Sequence, residues 1–258
     1  MDFLISAKRI ISGESITITG SKSETNRLLL LQALDPGIVI YNASESDDSM
    51  MMRNALGSES DVVDIHHAGT AMCFLTAYFA QLPGREVLLT GSPRMKQRPI
   101  AVLAEALREL GADISFPERE GFPPLFIKGV KLDGGIVKLR ADVSSQYITA
   151  LLLIAPLMKN GLTVQFDGRP TSLPYIKMTV SLLKEAGVEV EMYDERIEVL
   201  HSAIVPCQFT VESDWSSASY FYSLIALSPS NTSVTLSFYK KDSLQGDSVL
   251  PGIYTNFG

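Results

Sequence analysis

Three stretches of this chain open a helix in nearly the same way, and their spacing restricts the fold more than any other feature. His66-His67-Ala68-Gly69-Thr70-Ala71-Met72 leads into an apolar run. Ala141-Asp142-Val143-Ser144-Ser145-Gln146-Tyr147 and Glu212-Ser213-Asp214-Trp215-Ser216-Ser217-Ala218 do the same. The openings recur roughly every 70–76 residues, beyond the 20–50 of solenoid repeats, so they mark a repeated βα unit inside a globular fold. Two glycines share the period. Leu110-Gly111-Ala112-Asp113 and Ala186-Gly187-Val188-Glu189 each end a helix, where a left-handed residue without Cβ is needed.

Between these marks the hydrophobic periodicity predicts the elements. The first unit reads as strand Val62–Ile65, a helix from Gly69-Thr70 to Phe79, strand Glu86–Thr90, helix Pro99–Leu110, and strands Ala112–Phe116 and Leu125–Ile127. The second reads as Ile136–Leu139, Ser145–Leu157, Leu162–Phe166, Pro174–Ala186, Val188–Met192 and Arg196–Val199. Each unit is therefore βαβαββ. Ahead of them come a strand at 14–19, helix Thr25–Leu34, strand Val39–Asn42, and a helix capped by Ser46-Asp47-Asp48 that puts Met50, Met51 and Leu56 in the core. A third unit begins near Phe209, with Thr235–Phe238 as its next strand and Gln245-Gly246-Asp247 before Val249-Leu250. Helices as apolar as Leu151-Leu152-Leu153-Ile154 belong at the centre, with sheets around them.

Composition narrows the partners. The net charge of −7, without a basic tail or an aromatic-basic stripe, argues against nucleic acid and leaves anionic small molecules open. Tyr147 to Met158 is too short to cross a bilayer and contains Pro156. Lys8 and Arg9 precede no apolar leader. Cys73 and Cys207 lie far apart among only three histidines, which indicates neither a disulfide framework nor a metal site. The expectation is a soluble cytoplasmic protein with no membrane partner.

Chemistry concentrates at the helix openings, where free N–H groups favour anions. Gly20-Ser21-Lys22-Ser23-Glu24-Thr25-Asn26-Arg27 joins a flexible turn to two hydroxyls and two cations. With Lys22 held in the turn, Lys22 and Arg27 can both reach an anion; the competing reading is a surface lysine. Gly91-Ser92-Pro93-Arg94-Met95-Lys96-Gln97-Arg98-Pro99 sets three cations before a helix, which conflicts with its dipole unless an anion binds there; the competing reading is solvated surface charge. Ser144-Ser145-Gln146 and Ser172-Leu173-Pro174-Tyr175 offer neutral donors suited to a phosphate or a polyhydroxylated ring, or simple caps. His67 reads equally as a ligand donor or a surface histidine, Cys73 reads as core, and Asp142 and Asp214 read as helix caps.

Taken together, these motifs resemble the enolpyruvyl transferase superfamily, and within it the EPSP synthase (3-phosphoshikimate 1-carboxyvinyltransferase) family. The marks are Gly20-Ser21-Lys22-Ser23 with Asn26-Arg27, Ala68-Gly69-Thr70-Ala71-Met72, Leu89-Thr90-Gly91 with Pro93-Arg94-Met95-Lys96 and Arg98-Pro99, Val143-Ser144-Ser145-Gln146, and Ser216-Ser217-Ala218-Ser219-Tyr220, in family order. The resemblance implies an α/β (α+β) fold, an enolpyruvyl transferase-like inverse α/β barrel domain of βαβαββ repeats. Residues 19–211 would form a complete first domain, with 1–18 and 212–258 forming part of a second.

By the same resemblance, the substrates would be phosphoenolpyruvate and shikimate 3-phosphate. Addition to a tetrahedral intermediate and then elimination would proceed without cofactor, metal or covalent attachment to the enzyme. Lys22, Arg94 and Gln146 would be the catalytic set. Substrate binding would involve Lys22, Ser23, Arg27, His67, Gly69, Thr70, Arg94, Ser144, Ser145, Gln146, Ser172 and Tyr175.

This sequence departs from the family at three places. His67 stands where the family usually has asparagine, and Cys73 where it has arginine. The family's catalytic aspartate and glutamate, with several basic phosphoenolpyruvate contacts, fall beyond Gly258. That makes the expectation a nearly inactive fragment of a monomeric full-length protein. Two alternatives stand beside it: a noncatalytic phosphate-ester-binding half-domain, and an enzyme like UDP-N-acetylglucosamine carboxyvinyltransferase.

Overall fold

A computed structural model describes residues 11–140, 142, 144–168 and 170–256. Lys8, Arg9, Ala141, Val143 and Gly258 of the sequence reading lie outside the described residues.

Three helices are enclosed on nearly all sides, two of them because they are apolar and the third with buried polar residues in its first half. Helix α1 (Lys22–Leu34) buries Glu24 through Leu31. Gly69–Ala80 forms α3, buried from Ala71 to its end, and Ser145–Ile154 forms α5, buried from Ile148 onward. These three pack on one another. Amphipathic helices lie outside them: α2 (Asp47–Leu56), α4 (Ala101–Glu109) and α6 (Leu173–Glu185). Pro156 cannot supply the next helical N–H, and a 3-10 turn at Ala155–Leu157 replaces the predicted last turn of α5.

The two repeats have identical sheet topology. Strands β3 (Val62–Asp64), β4 (Glu86–Thr90), β5 (Asp113–Ser115) and β6 (Leu125–Lys128) form a sheet in the order β3-β4-β6-β5. Strands β7 (Gly135–Arg140), β8 (Leu162–Asp167), β9 (Val190–Met192) and β10 (Arg196–Val199) repeat it as β7-β8-β10-β9. In each, the first pair is parallel across a helix and the remaining pairs are antiparallel. Burial alternates along β8, where Leu162, Val164 and Phe166 face the core.

The third opening does not begin a third copy of this sheet. Strand β11 (Gln208–Thr210) pairs in parallel with β2 (Val39–Tyr41). Strand β12 (Val234–Leu236) pairs instead with β1 (Glu14–Ile16). Periodicity marks a strand-to-helix junction but carries no information on which distant strand is the partner. All four sheets are open, so no closed barrel is present among the described residues.

Two hydrophobic clusters result. The larger runs from Leu28 to Val211. A smaller one gathers Ile18, Trp215 and Ala218, with Phe221, Tyr222, Leu236 and Tyr239 against it, around α7 (Trp215–Ala226). A short helix α8 (Leu250–Thr255) follows a 3-10 turn at Gly246–Val249.

Three local expectations are corrected. Helix α1 starts at Lys22, three residues before Thr25, so Lys22 belongs to its first turn. Met52 is the fully buried methionine of α2, whereas Met50 is 46% exposed, because the buried face of α2 runs through Ser49, Met52 and Ala55. Helix α4 begins at Ala101, after Pro99. Among the described residues, no helix is long and apolar enough to cross a membrane.

Candidate functional site

The turn that opens α3 is built against the loop leaving β4. His66 adopts a left-handed backbone with φ of 48°, uncommon for a residue carrying Cβ. Contacts on several sides hold it there. Its N–H donates to Asp64 Oδ1 at 2.8 Å, and its carbonyl accepts from Ser92 N at 3.0 Å. Ser92 Oγ lies 2.8 Å from His67 Nδ1 and also accepts from Met95 N at 3.3 Å. Gly91 permits this approach, since a Cβ there would stand 2.8 Å from the His66 carbonyl oxygen.

The cationic loop is arranged differently from the sequence expectation. Met95 is buried and anchors a 3-10 turn at Met95–Gln97, so the loop does not sit directly on the start of α4. Lys96 pairs with Glu118 at 2.8 Å and is neutralised. Arg94 is exposed, without a side-chain partner among the described residues. Arg98 instead lies on the first turn of α3: a Cβ on Gly69 would come within 2.6 Å of its Nη1. Only glycine leaves room for a guanidinium in that position.

Helix α5 enters the same region. Ser144 caps it by accepting from Gln146 N at 3.3 Å, while Asp142, the expected cap, pairs with Arg140. Gln146 Nε2 donates to Thr70 Oγ1 at 3.2 Å, and its Oε1 accepts from Cys73 Sγ at 3.7 Å. One amide thus spans a turn of α3. Tyr147 OH donates to the Pro99 carbonyl at 2.7 Å, closing the loop onto α5. Burial pushes the Cys73 thiol up to about 12, with Arg98 pulling the other way, so Cys73 is a neutral core donor and not a nucleophile.

Lys22 and Arg27 part company. Lys22 Nζ pairs with Asp48 Oδ2 at 3.4 Å, near the start of α2. Arg27, five residues on, turns inward and is 3% exposed. Its Nε donates to Thr179 Oγ1 at 2.8 Å and its Nη1 to the Ser23 carbonyl at 2.6 Å. Nη2 reaches Thr149 Oγ1 and the Tyr175 carbonyl, each at 3.2 Å. Burial lowers its pKa to about 10, which leaves it charged at neutral pH. The guanidinium ties α1 to α5 and α6 from beneath.

Ser172 precedes α6 in a left-handed conformation, with φ of 54°, and its hydroxyl does not cap the helix. Ser23 and Tyr175 line a narrow recess facing Asp214 and Gly246. Asp214 caps α7, accepting from Ser217 N at 2.8 Å. Hydrogen bonds and close approaches therefore bring His67, Gly69, Thr70 and Gln146 together, and separately Ser23, Arg27 and Tyr175. Among the described residues, Ser145 has no side-chain bond to either group.

Sequence reasoning missed Ser92 and Arg98 as neighbours of the α3 opening, and Thr149 and Thr179 as partners of Arg27. The available signal for Thr149 was its position inside an otherwise apolar helix, while Thr179 lies on the buried face of the amphipathic α6 and carried none.

A sequence family described as EPSP synthase (3-phosphoshikimate 1-carboxyvinyltransferase) matches residues 53–254. The 3-phosphoshikimate 1-carboxyvinyltransferase of Bacteroides fragilis strain YCH46 is 44% identical over 260 residues, covering 100% of this chain and 63% of that protein. That of Haemophilus influenzae strain Rd is 38% identical over 277 residues, covering 95% and 63%. This chain thus spans 63% of the length of these curated relatives. A solved structure of EPSP synthase from Acinetobacter baumannii shares the fold, with a TM-score of 0.74 at 21% identity, over 90% of this chain and 59% of that one.

Proposed function

The chain belongs to the EPSP synthase (3-phosphoshikimate 1-carboxyvinyltransferase) family, and from that premise we propose that it serves transfer of the carboxyvinyl group of phosphoenolpyruvate to the 5-hydroxyl of shikimate 3-phosphate. In this reading the hydroxyl gives up its proton as its oxygen bonds to C2 of phosphoenolpyruvate, and C3 gains a proton, so that O–H adds across the C2–C3 double bond. Loss of a C3 proton then breaks the bond from C2 to the phosphate oxygen and releases phosphate.

Each side chain has a physical role in the proposal. The Arg94 fork holds the phosphoenolpyruvate carboxylate or phosphate in a bidentate grip. Gly69 and Thr70 present the α3 opening to the same anion, with His67 beside them. Gln146 orients both substrates, and Lys22 supplies a cation that can also assist proton transfer. Ser23, Ser144, Ser145, Ser172 and Tyr175 donate to the phosphate and ring of shikimate 3-phosphate. Arg27 acts from below by fixing the Ser23 and Tyr175 backbones and strengthening the local positive field. Preorganised donors of this kind lower the energy of charge shifting in the transition state.

The larger hydrophobic cluster, with residues 19–211, corresponds in this reading to one complete domain of the inverse-barrel type. The smaller cluster belongs to a second domain. The single observation that carries the reading is the Gln146 amide on Thr70 at 3.2 Å. It joins two helix openings to which the resemblance gives ligand contacts.

Calorimetric titration of the chain with shikimate 3-phosphate, then with phosphoenolpyruvate, tests it, followed by a phosphate-release assay. Binding of shikimate 3-phosphate in preference to a UDP-sugar is expected. Preference for the UDP-sugar, or failure to bind either, would overturn the assignment.

A further inference from the structure

We propose that Glu24 and Lys240 are positioning residues: their ion pair ties the loop after β12 to the first turn of α1 and so sets the width of the recess lined by Ser23 and Tyr175. The function given to that recess rests on the reading of shikimate 3-phosphate as its occupant; the tie itself does not.

Three residues close a ring of hydrogen bonds here. The Glu212 N–H donates to Glu24 Oε2 at 3.2 Å, the Lys240 N–H to Glu212 Oε1 at 3.0 Å, and Lys240 Nζ to Glu24 Oε1 at 3.4 Å. Every donor in the ring is a backbone amide or an ammonium, neither of which can accept, so the direction of each bond is fixed. Both carboxyl groups are buried, Glu24 at 4% and Glu212 at 3% exposure. Burial raises the Glu24 pKa, and the Lys240 charge is the chief influence opposing it. Among the described residues, this is the one ion pair that joins the chain before Val211 to the chain after it.

The loop is shaped to bring Lys240 back to α1. Phe238, two residues earlier, is left-handed with φ of 66°, and its carbonyl accepts from Ser213 N at 3.1 Å. A residue with Cβ keeps that conformation only when its surroundings over-determine it. Tyr239 packs on Trp215 with ring centroids 4.4 Å apart. Further along, Gln245 accepts from Trp215 N at 3.0 Å and donates to the Ser213 carbonyl at 2.9 Å. Gln245 also lines the recess with Ser23 and Tyr175, and Ser23 directly precedes Glu24 in α1. One part of the recess therefore moves with Glu24 and another with the loop that carries Lys240. A ligand touching both binds best when they already stand at their bound separation, because ordering a loose junction subtracts from the binding free energy.

Two measurements on the full chain at pH 7 test the inference. Hydrogen exchange of the Glu212 amide, followed by NMR, reads the tie without ligand, and calorimetric titration with shikimate 3-phosphate reads its consequence. Lys240→Met should speed exchange of that amide about two- to fivefold, the range for an ion pair with one exposed end. Affinity for shikimate 3-phosphate should fall by about the same factor. Lys240→Arg keeps the charge and should restore both. In a Glu24→Gln chain, Lys240→Met should change either quantity by no more than about 1.5-fold, because its partner charge is already gone. The Lys240 side chain is half-exposed, so the chain stays folded, and a loss of stability alone would leave the affinity where it was.

Unchanged exchange in Lys240→Met overturns the tie, and so does an effect of Lys240→Met that persists at full size in the Glu24→Gln chain. Faster exchange with unchanged affinity overturns the positioning role. A wild-type chain that does not bind shikimate 3-phosphate overturns the substrate reading and the positioning role with it, while the exchange rates still decide the tie.

Discussion

The amide of Glu212 donates to Oε2 of Glu24 at 3.2 Å, joining two buried glutamates where the chain passes from one hydrophobic cluster to the other. The Glu212 carboxylate is well supplied, accepting from Trp215 Nε1, Lys240 N and Ser243 Oγ. Glu24 has the Glu212 amide and Lys240 Nζ at 3.4 Å.

Those partners do not offset burial for Glu24, so its pKa lies above the ordinary carboxylate range; burial is the main cause, with Lys240 opposing it. The folded protein therefore holds the Glu24 proton at pH values where the unfolded chain has lost it. The resulting stability is fully present below the unfolded value, roughly 4.3, and is lost as pH rises through the folded one. Glu24→Gln removes this titration and keeps an acceptor for the Glu212 amide. The variant should gain relative to wild type as pH rises from 4 to 8, by about 1–4 °C in melting temperature. Parallel thermal melts across that range check it; a constant gap would refute it.

Arg27 is a buried cation solvated by neutral oxygens, and its substitutions should rank in an unusual order. Arg27→Met removes the charge and leaves intact the hydrogen bond that Thr149 and Thr179 already share at 3.1 Å, so a loss of about 1–3 kcal/mol is expected. Arg27→Lys keeps a buried charge but loses the fork that reaches four oxygens, and should cost more at pH 7. A lysine there would have its pKa lowered by burial. Its penalty should therefore shrink as pH rises between the folded and unfolded values. Urea unfolding at pH 7 and pH 9 distinguishes the two variants.

How much of this was readable in the sequence follows from what sequence patterns encode. Gly111 and Gly187, with the openings at Gly69 and Ser145, foretold two copies of one unit, because caps and periodicity are local properties. The pairing of Phe209 with Ile40 was not readable, since register between distant strands depends on the whole packing. Nor was the inward turn of Arg27: a five-residue offset from Lys22 separates two side chains without saying which one is buried. Lys96 looked like part of a cationic cluster until Glu118, 22 residues away, folded back to meet it. Of the site, sequence placed the helix openings but not the contacts among them.

Gly69 separates stability from binding. A Cβ at this position meets the flexible end of an exposed arginine and no backbone, so Gly69→Ala should fold normally. Alanine is also the better helix former, by up to about 1 kcal/mol. Its melting temperature should equal or exceed that of wild type. Arg98 must move off the first turn of α3, and phosphoenolpyruvate binding should weaken about tenfold or more, as when a charge-assisted contact is lost. Paired melting and titration experiments check the split; a variant that loses both properties together would contradict it.

The two thiols should differ sharply in reactivity. Cys73 is buried in α3, and with its pKa pushed up to about 12 the thiolate is roughly one molecule in ten thousand at pH 8. Reaching it also requires opening the packing between α3 and α5, because its sulfur faces Gln146. Cys207 is only partly buried; its pKa is also raised, by burial and then by Glu185 and Asp35, but a reagent can reach it without unfolding the chain. Iodoacetamide at pH 8 should therefore modify Cys207 and spare Cys73 in the native protein, and modify both in urea. Peptide mapping by mass spectrometry reads the ratio, which should favour Cys207 at least tenfold. Equal labelling in the native protein would mean that the first turns of α3 open readily, and that Gln146 is not held as the geometry requires.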